Sequence, residues 1–186
     1  MTRARSVTGW MALLMLTGAA WGQPVRTLQT GTKTSEPGYV TSLEADVPVA
    51  DMEAAGQVVL ERLTLLREAT IAAGFTPTGK LRAVLQVSME APPQATVPFL
   101  VQLYIAEQPT DADLKAEWGF GLLRAEPEKV AYTYHKGSME GAQLTFMRLW
   151  QWTMAQGLDV AGYPYMVLYG AGDKPPDLLE IQLPVK

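Results

Sequence analysis

The feature that most constrains this chain is an internal repeat. From residue 39 onward the order strand, helix, strand, strand is written twice. In the first copy, residues 39–47 alternate as a strand that Pro48 stops. Asp51 can cap the helix that follows. Val59, Leu63, Leu66, Thr70 and Ala73 then recur at helical spacing, and Gly74 stands where a helix ends. Strands over 80–88 and 99–106 complete the copy. The second has strands over 129–135, 163–169 and 178–185, with a helix over 139–156 closed by Gly157. Laid on each other, Gly74 falls on Gly157, Gly79 on Gly162, Leu63 on Phe146 and Leu66 on Leu149. Val84 falls on Val167, and the run from Val101 to Ile105 on the run from Ile181 to Val185.

A helix can cover only one face of a small sheet, so the remaining faces must bury each other or line a cleft. The expected fold is therefore α+β. It is a tandem duplication of a strand-helix-strand-strand unit, with two antiparallel sheets, helices on the outer side and a ligand cleft between halves. The repeats span 39–106 and 129–186. The connection between them carries an acidic turn (Asp111, Asp113) and a short strand over 119–124.

The segment before residue 39 is of another kind. Arg3 and Arg5 precede an apolar run over 10–20, and Ala20-Trp21-Gly22 places small residues ahead of Gln23. This is the pattern of a secretory signal peptide over 1–22, too short in its apolar part for a comfortable membrane span. Residues 23–38 are polar, rich in Thr and Gly and without periodicity, and read as a flexible leader to a domain over 39–186. The expected location is periplasmic or secreted, with no membrane span after cleavage.

Composition removes several function classes. There is no Cys, so there is no disulfide framework, thiol nucleophile or thiolate metal site. The net charge is −4, and it becomes more negative once Arg3 and Arg5 are lost. No basic block or helix-turn-helix-like segment stands out, so nucleic acid is not an expected partner. Nothing in the sequence sets the oligomeric state.

The constellation with most chemical promise lies in the closing strand, where Leu179, Ile181, Leu183 and Val185 alternate with Glu180, Gln182 and Pro184. The repeat places Glu180 where the first copy has Leu100. Tyr165 and Tyr169 point to one side of the neighbouring strand. Gln182, Tyr104, Tyr132 and Tyr134 are candidates for the same wall. A carboxylate among phenol rings suits a small hydrophobic ligand, cationic where the carboxylate serves as counter-charge. A solvated glutamate on an open sheet face is the plainer alternative. His135 is the chain's single histidine; no G-x-S-x-G elbow accompanies it, and a zinc site would need carboxylates around it. Axial haem ligation by His135 is a further alternative. Ser138 reads as a helix cap, and Gly170 to Lys174 as a hairpin loop rather than a phosphate loop, because a strand follows it. No cofactor and no metal are expected.

The run V-A-Y-T-Y-H-K-G-S-M-E (130–140), then Leu149, Trp152, Gly157, Gly162 and Tyr169, closing in L-L-E-I-Q-L-P-V, resembles the GyrI-like small-molecule-binding domain. This is the effector-binding domain of many bacterial transcription activators. The resemblance implies a duplicated fold and a ligand site between the halves, with Glu180 and Tyr169 at the positions of the family's terminal-strand glutamate and the aromatic before it. It also implies alternatives: some stand-alone relatives resemble hydrolases that use a cleft glutamate and tyrosine, with Glu180 as general acid or base, and a related fold family binds haem. The secretory pattern departs from a usually cytoplasmic family.

Overall fold

The computed structural model describes residues 29–48, 52–86, 96–137, 139–169 and 178–186. The proposed signal peptide, Asp51, Ser138 and the 170–177 loop lie outside them. The described residues form eight strands and three helices. In chain order they are β1 (Thr30–Thr34), β2 (Gly38–Pro48), α1 (Met52–Ala72), β3 (Pro77–Leu85), β4 (Thr96–Ile105) and α2 (Asp111–Lys115). Then follow β5 (Gly121–Ala125), β6 (Lys129–Lys136), α3 (Met139–Ala155), β7 (Tyr165–Tyr169) and β8 (Leu178–Pro184).

All eight strands belong to one antiparallel sheet, in the order β1-β6-β8-β7-β3-β4-β2-β5. The duplication is visible in that order. One repeat supplies β3-β4-β2 and the other β7-β8-β6, and the two join through β3 and β7. Ala83 faces Met166 at the seam, flanked by Arg82 opposite Val167 and Val84 opposite Tyr165. A pseudo-two-fold axis therefore passes through the Ala83–Met166 pair. The expected two sheets are thus one continuous sheet: the edge of each three-stranded unit is satisfied by the other instead of being left open.

Both long helices cover the same face. Leu66 and Thr70 of α1 are fully buried, and Leu66 packs with Leu81, Ala83, Phe99, Val101 and Leu103. Leu149 of α3 packs with Ala131, Leu179, Ile181 and Leu183. Polar ties fix each helix to its own repeat: Thr70 Oγ1 lies 2.8 Å from Thr41 Oγ1, and Thr145 Oγ1 lies 2.9 Å from His135 Nδ1. Gly74 and Gly157 end the helices at φ 89° and 68°, a left-handed turn that glycine takes without strain. The acidic turn is a helical one, α2, closed by a capping box between Thr110 and Asp113.

Within the stretch read as a flexible leader, the described residues 29–38 are structured. Thr30–Thr34 pairs with β6, and β5 pairs with β2. Each repeat is therefore preceded by a five-residue strand that docks on the other repeat. The register runs unbroken through the connections: Thr34 faces Lys129, Ser35 N–H donates to the Glu128 carbonyl at 2.8 Å, and Gly38 faces Ala125. Residues 30–42 and 121–133 thus form one long two-stranded ribbon that belongs to both ends of the sheet. Strands β1 and β2 stand six places apart in the sheet, ~29 Å if it were flat. The four residue steps from Thr34 to Gly38 reach only ~14 Å. The sheet must curl, and the ribbon arches over its inner face, opposite the helices.

Leu66→Ala and Leu149→Ala should each cost ~2–5 kcal/mol, because each empties a fully packed position under its own helix. Chemical denaturation of the two variants checks this; a cost under ~1 kcal/mol for either would contradict the packing described.

Candidate functional site

The inner face, between sheet and arch, gathers the polar residues that the alternation of the strands takes away from the helices. Tyr134 stands opposite Glu180, and Tyr132 and Tyr165 stand opposite Gln182 on either side. Arg82 stands opposite Gln102. Glu180 is 1% exposed. It is no solvated residue of an open face: the arch covers it.

Three donors converge on that carboxylate. Lys33 Nζ lies 2.5 Å from Oε1, the Gln182 amide donates to Oε1 at 2.6 Å, and the Tyr169 hydroxyl donates to Oε2 at 3.1 Å. Lys33 also stands over the Tyr132 ring, 5.0 Å from its centre, and Tyr132 meets Tyr134 edge to face at 5.7 Å. Burying a carboxylate is tolerable when a cation and hydrogen bonds accompany it, and here both do.

The same grouping of cation, ring and carboxylate occurs twice more under the arch. Lys80 lies 4.2 Å from the Tyr104 ring centre and 5.8 Å from that of Tyr169, and its Nζ donates to Glu36 at 2.8 Å. Arg82 stacks on Tyr165 at 3.7 Å and donates to Glu128 at 3.0 Å. Glu36 and Glu128 come from the two connections of the ribbon, so these ion pairs pin the arch to β3. The hydrogen bond from Lys80 holds the Glu36 carboxyl below the usual range.

All six residues singled out in the sequence lie on this face. Glu180, Tyr132, Tyr134 and Tyr169 come together; Tyr165 lies beside them beyond Gln182, buried against Arg82. Tyr104 belongs to the first repeat and meets the group through Lys80. His135 is fully buried on the helix side, with Nδ1 2.9 Å from Thr145 Oγ1.

Sequence reading missed Lys33, Lys80 and Arg82, because only cross-strand register brings them to the site. A signal for the arch was present: S-E-P-G-Y-V (35–40) and A-E-P-E-K-V (125–130) are matching segments, each with a proline at the bend. Val40 and Val130 occupy equivalent places, Val40 facing Leu123 and Val130 facing Lys33. The polar pair Lys33–Glu180 of one half thus corresponds to Leu123 and Leu100 in the other.

Among the described residues, four buried side-chain atoms make no hydrogen bond: Arg82 Nε, Gln102 Oε1, Tyr165 Oη and Gln182 Oε1. They lie on the inner face, two from each repeat, and include both donors and acceptors.

The chain has the fold of several solved bacterial proteins. It superposes on the EcmrR C-terminal domain with a TM-score of 0.65 at 16% identity, covering 85% of this chain and 97% of that one. EcmrR in its DNA complex gives 0.67 at 16% identity, over 85% of this chain and 57% of that chain, so the present chain spans little more than half of it. SAV2435, solved bound to tetraphenylphosphonium, gives 0.53 at 9% identity over 86% of this chain and 94% of that one. No family model matches the chain. A search of curated proteins finds no match either.

Burial raises the pKa of Tyr169 and Tyr134, and the Glu180 charge raises both further. Burial also raises that of Tyr165, against the opposing charge of Arg82. A phenol whose pKa rises on folding stabilises the folded state below the ordinary value of 10.0 and loses that contribution above it, where the unfolded chain ionises first. The melting temperature should therefore fall as pH rises through 10.0. In NMR titrations of the tyrosine rings, Glu180→Gln should move Tyr134 and Tyr169 to lower pH and leave Tyr165 in place. Identical curves for Tyr169 in both proteins would contradict the described contact.

Proposed function

We propose that this chain is an exported GyrI-like domain that binds a small hydrophobic ligand with a cationic centre, held at Glu180. The observation that carries this reading is the seat itself: a fully buried carboxylate, two tyrosines beside it, and an ammonium already drawn into it from Lys33. Weakly hydrated cations with aromatic substituents gain most there, since the rings reward apolar area and the carboxylate acts in a medium poor in water. The fold shared with the EcmrR C-terminal domain and with SAV2435, solved bound to tetraphenylphosphonium, supports it. Export rests on the signal-peptide pattern over 1–22.

Calorimetric titration with tetraphenylphosphonium tests the site. Wild type should bind, and Glu180→Gln should weaken binding by about tenfold or more, ~1.4 kcal/mol. Equal affinity in both proteins removes Glu180 from the site. A hydrolytic role has one observation in its favour, the Tyr169 hydroxyl held on the Glu180 carboxylate. It requires turnover of a strained electrophile that Glu180→Gln abolishes while binding survives. For export, the protein recovered from the periplasm should begin at Gln23; an intact Met1 terminus on cytoplasmic protein would refute it.

A further inference from the structure

Lys33 holds the place that a ligand cation would need. We infer that it is a tethered occupant of the cation seat, and that a cationic ligand binds by expelling it; this rests on the ligand reading above. The ammonium satisfies both parts of the seat, lying 2.5 Å from Glu180 Oε1 and 5.0 Å from the Tyr132 ring centre. Gln182 and Tyr169 already donate to the same carboxylate. A second cation cannot share it without facing the first at close range.

The geometry makes Lys33 the part that leaves. Its side chain is 31% exposed and that of Glu180 1%, so Lys33 borders solvent and the carboxylate lies beneath it. Lys33 comes from β1, a five-residue strand at the edge of the sheet, paired among the described residues with β6 alone. None of its five residues is fully buried, and segments with few buried contacts open at low free energy. An ammonium on a flexible four-carbon stem is strongly hydrated and returns readily to water. Release of Lys33 thus needs the movement of one side chain, with β1 loosening where the ligand is bulky.

Lys33 and Glu180 also behave as a unit in the duplication. Their counterparts, Leu123 and Leu100, are both apolar. One half carries a charge pair where the other carries two leucines, so the cation and the carboxylate belong together as one device. The consequence is selection of the ligand. A hydrophilic cation cannot outcompete an ammonium held on the protein at high effective concentration. A lipophilic cation can, because it adds apolar area against Tyr132 and Tyr134. Lys33 therefore sets a threshold of hydrophobicity for entry.

The test uses tetraphenylphosphonium at pH 8 with wild type, Lys33→Met and Lys33→Gln, each checked for a cooperative melt. Both variants should bind at least about tenfold more tightly than wild type, and in wild type the probe should speed hydrogen exchange of the residue 30–34 amides. If wild type binds and neither substitution tightens binding, the exchange is overturned and the ligand site stands. Slower exchange in residues 30–34 on binding overturns it as well. Absence of binding by all three proteins overturns the cationic-ligand reading, and the exchange falls with it.

Discussion

Four residue steps cannot cross a flat eight-stranded sheet, and much of this structure follows from that shortage of chain. Residues 35–37 and 126–128 each join strands at opposite ends of the sheet. The sheet must curl to bring its ends within reach, and the joined ribbon must pass over the face opposite the helices. That passage converts an open sheet face into an enclosed one. Charged side chains on the face then need partners, and the ribbon supplies them: Glu36 for Lys80, Glu128 for Arg82, and Lys33 for Glu180. The site is a by-product of closure, built from residues that closure buries.

The duplication explains why only one side of the enclosure carries the carboxylate. Both repeats contribute the same strands in mirrored order about the Ala83–Met166 seam. Gln102 and Gln182 have kept the same identity at equivalent places, whereas Leu100 and Glu180, with Leu123 and Lys33, have not. The Glu180 end of the enclosure thus carries a charge pair where the equivalent place in the first repeat is apolar. The orphaned polar atoms at Arg82, Gln102, Tyr165 and Gln182 lie on the same inner face.

Much of this was legible in the residues. Period-two alternation placed the β8 strand and put Glu180 and Gln182 on the side away from the helices, and helical spacing found Leu66 and Thr70 as the buried stripe of α1. Superposing the repeats singled out Glu180 against Leu100. The arch was not legible by these means, because T-S-E-P-G-Y has no hydrophobic period and its polar residues resemble those of a linker. Its pairing is long-range: Thr30 meets Thr133 and Ser35 meets Glu128. Only the matched E-P segments at 36–37 and 126–127 carried a local trace of it. Two separate sheets were expected because alternation shows which face a strand buries and is silent on which edges meet; the β3–β7 seam is such an edge. Lys33 was passed over for the same reason as its strand.

The central claim is that ligands enter the enclosure between sheet and arch and reach the Glu180 seat. Ring-selective NMR of 13C-labelled tyrosines during titration with tetraphenylphosphonium tests it most directly. The Tyr132, Tyr134 and Tyr169 rings should shift first and saturate together, while Tyr39 and Tyr163, which take no part in the site's hydrogen bonds or cation contacts described above, should stay near their starting positions. Saturable binding that leaves those three rings unmoved would contradict it.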